Sequence, residues 1–523
     1  MQSSGLDDLL TLVKQLHAKY AEDEFMMGKL TAHIAQLPAV MDAVYQARDD
    51  KEQRKQTLIT ASDEFIERFL NESPHYYYNA NVELFFVYDA DAECNYSVIN
   101  EDDILHPILT QISGNRELMP WKYKIKNQVL RRIKDRNLLS SIPESQTIQR
   151  TLNMLCPTLF RTRDCAKYFL TVIGDVILKK TGSTIDGLLE PIYIATPKAR
   201  QFIKGLSQEC NTLFGISLLS AFKFKFYEYA FSDCRLMDMN DIAMDAFSPP
   251  FKHRLIDVFC VAAHYSQRYE NAEAFLNTQC KDTVTHQRVL YLKHHPEDAL
   301  IAKFVATCEP SPQSNMSISW KNMMYLWKVF IEEERIPNVF FAQSLKTRLV
   351  EHLSNYSETT DSFLQLTSKH LPLVTRFKDF WTQTITVNPN DECELEIDEF
   401  TALFKQHHHH QLQQVAQPSP QLQSHNHTDA AFLGLIRHFY PDVAIENDKY
   451  LMHVSCALWD KRGDVLAAIQ EHAASTTMQP APYKAYEFYC QQQRLKCKTN
   501  AAAPHHLIVS KKYFEKIYNE NKF

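Results

Sequence analysis

Glycine is scarce in this chain, with 10 in 523 residues, about 2% against a usual ~7%. Folds built on many tight turns with positive φ, and loops that bring backbone close to phosphate, have little raw material here. The phosphate-loop pattern GxxxxGK[ST], the dinucleotide pattern GxGxxG, and the hydrolase patterns HExxH and GxSxG are all missing. Lys180-Thr181-Gly182-Ser183-Thr184 has the letters of a phosphate loop in the wrong order. No apolar run approaches the ~18 residues of a membrane span, and residues 1–20 lack a signal-peptide core. The twelve cysteines include no CxxC pair, which predicts reduced, mostly buried thiols in an intracellular protein and argues against zinc.

What is present is ordinary globular material: 45% hydrophobic, 23% charged and 11% aromatic residues, including 24 Tyr and 31 Phe. The length suits several domains. The net charge of −7 conceals a polarity. Residues 1–120 hold 21 acids and 9 bases, residues 121–180 hold 13 bases and 4 acids, and residues 483–523 hold 8 bases and 3 acids. Two explanations stand open: basic surfaces that meet nucleic acid or an acidic partner, or acidic and basic segments of one chain that face each other.

Apolar spacing predicts an amphipathic helix or helix pair over 6–37, interrupted near Pro38, then a solvated charged stretch at 48–56 and a helix over 57–72. The β-rich runs around 82–99 predict a hairpin, and Glu101, Asp102 and Asp103 open the helix that follows. Residues 121–180 read as three helices, the second with a capping-box pattern at Ser141 and Glu144. AFKFKFYEY (221–229) alternates Phe and Lys as a strand, and PIYIAT (191–196) is a weaker one. Helices fill 254–310 and 318–386, and an acidic helix ends at Lys405. The Gln/His-rich residues 406–428 read as a disordered linker. No internal repeat of 20–50 residues is evident. The expectation is a mainly α, multi-domain protein with small β-hairpin elements. Its segments are a helical 1–75, a mixed α/β 76–310 with the basic block, a helical 311–405, the linker 406–428, and a helical 429–523 with a basic tail.

The candidate site is the predicted helix that begins at Trp121. Lys122, Lys124, Lys126, Arg131, Arg132, Lys134 and Arg136 crowd it. At 100° per residue Ile125, Val129 and Ile133 share the apolar face, while Lys124, Arg131 and Lys134 lie opposite. Phosphates require such cations, and Trp121 and Tyr123 offer rings for base stacking. The same residues also suit a solvated helix whose long basic side chains lie over a core. Asp89, Asp91 and Glu93 fit a polar hairpin turn better than a cation site, since Cys94 stands where a calcium loop needs Gly. His407–His410, His425 and His427 are read as compositional. No cofactor, metal or catalytic residue is expected.

Several phrases resemble conserved proteins of unassigned role in large nucleocytoplasmic DNA viruses of protists and algae. They are Trp121–Lys126, Ser141–Ser145 through AKYFLTVIGDVILKK, SISWKNMMYLWKVF, ELEIDEFTALFK and HFYPDVAIENDKYLMHVSCALWDK. The resemblance spans about 120–523 and carries no active-site residues. It implies a viral protein of the host cytoplasm or nucleus, or of the virion, with other viral proteins as partners and no membrane. The hairpin at 82–99 and the acid-capped helix after it resemble the entry region of viral primase-helicases, whose ATPase motifs are missing here. The expected function is a non-enzymatic nucleic-acid-associated factor in viral gene expression or genome handling. The alternative is a structural or assembly protein of the virion.

Overall fold

A computed structural model describes residues 3–90, 92, 95–180, 191–196, 199–226, 229–240, 249–311, 316–390, 392–414, 428–475, 482–499 and 507–521. The described residues are mainly α, with small sheets of two or three strands. The chain divides into two units: 1–224 with 232–293, and 225–231 with 294–523.

The first unit opens with α1 (Ser3–Tyr20) and α2 (Glu24–Asn71). Asp23 caps α2 by accepting from the Met26 amide at 3.1 Å. The predicted breaks at Pro38 and in the charged stretch are corrected: α2 runs through both. The helix around Pro38 is exposed, so water can take the carbonyl bond that proline leaves open. The stretch 48–56 is rich in good helix formers and closes its own i,i+3 and i,i+4 contacts, Lys55–Glu52 at 3.2 Å and Gln53–Asp49 at 2.8 Å. Only from Ser62 onward does α2 carry buried residues.

The antiparallel strands β1 (His75–Asn79), β2 (Leu84–Tyr88) and β3 (Tyr96–Ile99) follow. The expected hairpin is β2–β3, and β1 adds an edge that its run of tyrosines supplies. Then come α3 (Glu101–Gly114) and α4 (Lys122–Lys134). Ile104, Ile108 and Ile112 on α3, and Ile125, Val129 and Ile133 on α4, are fully buried against Phe65, Phe69, Tyr76 and Phe85. These i, i+4, i+8 series are the apolar stripes that periodicity predicts.

Next are α5 (Ser145–Leu155), α6 (Arg163–Ile177), β4 (Ile192–Ala195), α7 (Arg200–Phe214), β5 (Phe222–Lys223) and β6 (Cys234–Met237). The capping box does not form. Glu144 is the N-cap of α5 without a side-chain bond, and Ser141 donates instead to Leu138 O at 2.6 Å. The expected strand at 221–229 shrinks to Phe222–Lys223, and residues 227–228 lie outside the described ones. The sheet is not a hairpin: β4 lies between β5 and β6 and pairs with both in parallel, with α7 as the crossover from β4 to β5. The unit closes with α8 (Pro249–His253), α9 (Leu255–Tyr269), α10 (Ala272–Thr278), α11 (Thr283–Val289) and α12 (Tyr291–His294). Helices α6 and α9 form its centre, with twelve and eleven buried residues respectively.

The second unit contains a repeat of topology that no repeat of residues announces. Its first copy runs α13 (Glu297–Val305), β7 (Glu309–Pro310), β8 (Ser317–Ser319), α14 (Trp320–Glu333), α15 (Ala342–Leu353), β9 (Tyr356–Ser357), β10 (Ser362–Leu364) and β11 (Leu366–Thr367). Its second copy runs α16 (Leu371–Thr384), β12 (Ile385–Val387), β13 (Glu394–Glu396), α17 (Ile397–Gln414), α18 (Asp429–Phe439), β14 (Ile445–Glu446), β15 (Tyr450–Met452) and β16 (Val454–Cys456). Pairing is the same in both. The first strand of each copy pairs with the last, and the three strands between them form the sheets β8-β10-β9 and β13-β15-β14. All these pairings are antiparallel.

Residues 406–414, read as linker, continue α17, while 415–427 lie outside the described residues. The segments 311–405 and 429–523 share one core, where Phe377, Phe400 and Phe404 meet Phe432, Ile436 and Phe439. The C-terminal segment is helical: α19 (Lys461–Ser475) and, in the basic tail, α20 (Pro482–Thr499) and α21 (Lys511–Glu520) pack around Val465, Tyr489 and Phe514.

Candidate nucleic-acid interface

Helix α4 places the predicted residues as its periodicity requires, with Ile125, Val129 and Ile133 inward. The outward cations meet several partners. Arg132 pairs with Glu67 of α2, and Lys134 lies 3.6 Å from Glu101 in the first turn of α3. Lys134 also sits 5.5 Å from the centres of the Tyr78 and Phe85 rings. Lys122 donates to Ser113 Oγ at 3.0 Å, and Lys124 stacks over Trp121 at 3.6 Å. Arg136 donates to Leu70 O at 2.6 Å. Tyr123 (76% exposed) and Arg131 face solvent, and Lys126 is half-buried.

The basic block therefore meets the acidic N-terminal third of its own chain at two points, through α2 and α3. It retains a small solvent face of Tyr123, Lys124, Lys126 and Arg131. The groove beside it, about 520 Å³, is lined by Asp50, Arg54, Leu58, Arg116, Glu117 and Pro120. Its two acids and two arginines give it no single sign with which to hold a phosphate.

The basic tail is also met internally. Lys516 lies 3.8 Å from Glu394, and Lys512 stacks over Tyr450 at 5.1 Å. Behind them Lys461 and Glu399, 7% and 6% exposed, pair at 2.7 Å. Glu399 also accepts the Glu396 amide at 2.9 Å, and Lys461 Nζ sits 4.0 Å from the centre of the Tyr513 ring. Burial pushes the Glu399 carboxyl up to about 7, and Lys461 opposes that shift. This cluster joins α17 and α19 to α21, and its enclosure suits anchoring rather than ligand binding.

Sequence reasoning finds the helix at α15 but passes over it as a site. In the first repeat it is the third helix and stands on the apolar pair Leu345 and Leu349, both fully buried. Gln343, Ser344, Thr347, Arg348 and Glu351 are exposed along its other side. The turn 358–361 between β9 and β10 lies beside it, tied down by Asp361. That carboxylate accepts from Lys346 of α15 at 2.9 Å and from Tyr356 Oη at 2.5 Å, and both bonds hold it below the usual carboxylate range. Arg348 is held by Glu297 at 3.2 Å and Asp298 at 3.7 Å, both on α13. In the second repeat the equivalent helix α18 buries Phe432, Leu433, Leu435, Ile436 and Phe439, and Lys321 of α14 donates to Phe439 O at 3.0 Å. That helix is packed within the unit, whereas α15 is presented. The available signal is Tyr356-Ser357 and Ser362-Phe363-Leu364 flanking the turn-forming ETTD, runs too short for a period of two to register.

Other candidates from the sequence resolve as follows. Asp91, Glu93 and Cys94 lie outside the described residues, as do positions 181–184, His425, His427, and the side chains of Lys496 and Lys498. His407 packs edge-on against Phe380, and His408 lies 2.6 Å from Arg376. Among the described residues no three His, Cys, Asp or Glu side chains converge as a metal site, and no helix is long and apolar enough to cross a membrane. No family model, curated protein or solved structure matches the chain.

Proposed function

We propose that this protein is a non-enzymatic nucleic-acid-associated factor, working in viral gene expression or genome handling, and that it touches nucleic acid through α15 and the adjacent turn 358–361. The observation that carries the reading is the first repeat of the second unit. Helix, strand, two helices and a two-stranded turn, with sheet order first–third–second, make the arrangement of a winged helix-turn-helix, whose third helix enters a groove. The exposed face of α15 has the chemistry of base edges: Gln343 suits adenine, and Ser344 and Thr347 suit several bases, while Arg348 is engaged by Glu297 and Asp298. The Lys and Arg of α15, Lys346 and Arg348, are both engaged by carboxylates, so the electrostatic share of affinity is small and the salt dependence shallow.

A second reading, an assembly protein of the virion, is favoured by the internal pairing of the basic block through Arg132–Glu67 and Lys134–Glu101. Photo-crosslinking of the full chain to duplex DNA, single-stranded DNA and RNA, followed by peptide mapping, separates the two. Crosslinks within 342–361 support the proposal. Crosslinks confined to 121–134 move the contact to the basic block, and absence of crosslinks to all three favours assembly.

A further inference from the structure

The hairpin of α1 and the first half of α2 leaves twelve large apolar side chains between Leu6 and Tyr45 at 43–72% exposure. Between Phe25 and Ala47 the only Asp, Glu, Lys or Arg residues are Lys29 and Asp42, although a solvated helix surface ordinarily carries many. The apolar positions follow a heptad. On α1 they are Leu6, Leu9, Val13, Leu16 and Tyr20; on α2 they are Met27, Leu30, Ile34, Leu37, Met41 and Val44. With Val40 and Tyr45 the α2 stripe is roughly 140° wide, broader than the seam of a two-stranded pair and suited to a bundle core.

We infer that this hairpin associates with the same hairpin of a second copy, forming an antiparallel four-helix bundle. The α2 series is symmetric about the point between Ala35 and Gln36. A two-fold axis there sets Met27 against the partner's Val44, Leu30 against the partner's Met41, and Ile34 against the partner's Leu37. Each layer then joins an a position to a d position, as antiparallel helices require, and a self-complementary patch is what a two-fold dimer needs. Leaving out Phe25, which lies on the opposite side of α2, eleven half-exposed apolar side chains supply on the order of 400–700 Å² per copy, close to the ~800 Å² per partner of a standard interface. A membrane surface fits less well, because an interfacial helix carries Lys and Arg along its polar face, and here that face has Ala32, Gln36, Ala39 and Ala43 with a single lysine.

Sedimentation of the full chain tests this. Wild type sediments as a dimer at micromolar concentration. Leu37→Glu and Leu37→Lys each weaken association by at least about a hundredfold, because each places two like charges near the axis. An equimolar mixture of the two variants recovers the dimer, which an unfolded variant does not do. Ile34→Cys joins to itself through a short bismaleimide, whereas Met27→Cys does not, since its two copies lie about 25 Å apart at ~1.5 Å per residue. A monomeric wild type, a dimeric Leu37→Glu, or preferential self-linking at position 27 overturns the inference.

Discussion

Gly174→Ala is the most telling single change in the first unit. Gly174 lies where α6 crosses α9. An added Cβ collides with the Ala262 carbonyl oxygen and comes within 2.7 Å of both Ala262 C and Ser266 Cβ. Two of these atoms are backbone and have no rotamer to escape into. Reaching ordinary contact requires the helices to part by about 1 Å, and a gap of that size forfeits a quarter to a half of each facing dispersion contact. Asp175, the next residue, suffers as well. It accepts from Ser266 Oγ at 2.5 Å and from the Ala272 amide at 2.7 Å, fixing the start of α10. Overpacking costs about 1–3 kcal/mol, occasionally more, while Ala in place of Gly returns about 1 kcal/mol of helix propensity. With a backbone clash and two strained hydrogen bonds, the net loss lies near ~2 kcal/mol. Urea unfolding followed by circular dichroism should show the first unit's midpoint fall without a change in slope. An unchanged or raised midpoint would refute the close-crossing argument.

Lys461→Met removes the cation that opposes the upward shift of Glu399, so the carboxyl is protonated at neutral pH and is left without its buried partner; the second unit should lose about 1–3 kcal/mol, and adding Glu399→Leu should return most of that loss, which calorimetry of single and double variants measures. Because the Glu399 carboxyl titrates near 7 in the folded protein and lower when unfolded, the folded state binds the extra proton. Its contribution is fully present at acid pH and lost as pH rises toward and through 7, so Glu399→Gln should flatten the melting-temperature profile between about pH 4.5 and 7. Cys165, Cys210, Cys234 and Cys260 are buried, and burial raises each thiol. They should react with a thiol reagent only at the rate of unfolding, and fast labelling of all four in native buffer would contradict their placement.

Much of the helical content is legible in the sequence because apolar residues repeat cleanly. The stripes of α3, α4 and α14, and the acid-led start of α3, follow from spacing alone. Two long-range effects are not legible. Whether Pro38 breaks a helix depends on whether its surroundings are wet, which local sequence does not state. The two- and three-residue strands of the repeats draw their definition from partners far along the chain, such as Ile385 with Cys456 and Ser317 with Leu364, so no local pattern announces them. The basic block shows the same limit for sites. Seven cations crowded together are visible in the chain, but the engagement of Arg132 by Glu67 and of Lys134 by Glu101 depends on α2 and α3 folding beside them. Conversely, α15 draws no notice by composition and gains its interest only from the strands that frame it.

The affinity of the full chain for duplex DNA, single-stranded DNA and RNA, measured by anisotropy across a salt series for wild type and Thr347→Glu, tests the proposed contact most directly. Thr347 is exposed on α15, so the change adds a negative charge to the presented face while leaving Leu345 and Leu349 in place. Wild type should bind at least one of the three nucleic acids, with a shallow salt slope. The variant should lose tenfold or more in affinity with an unchanged circular dichroism spectrum. Failure of wild type to bind any of the three at low salt, or equal binding by Thr347→Glu, would contradict the assignment of α15.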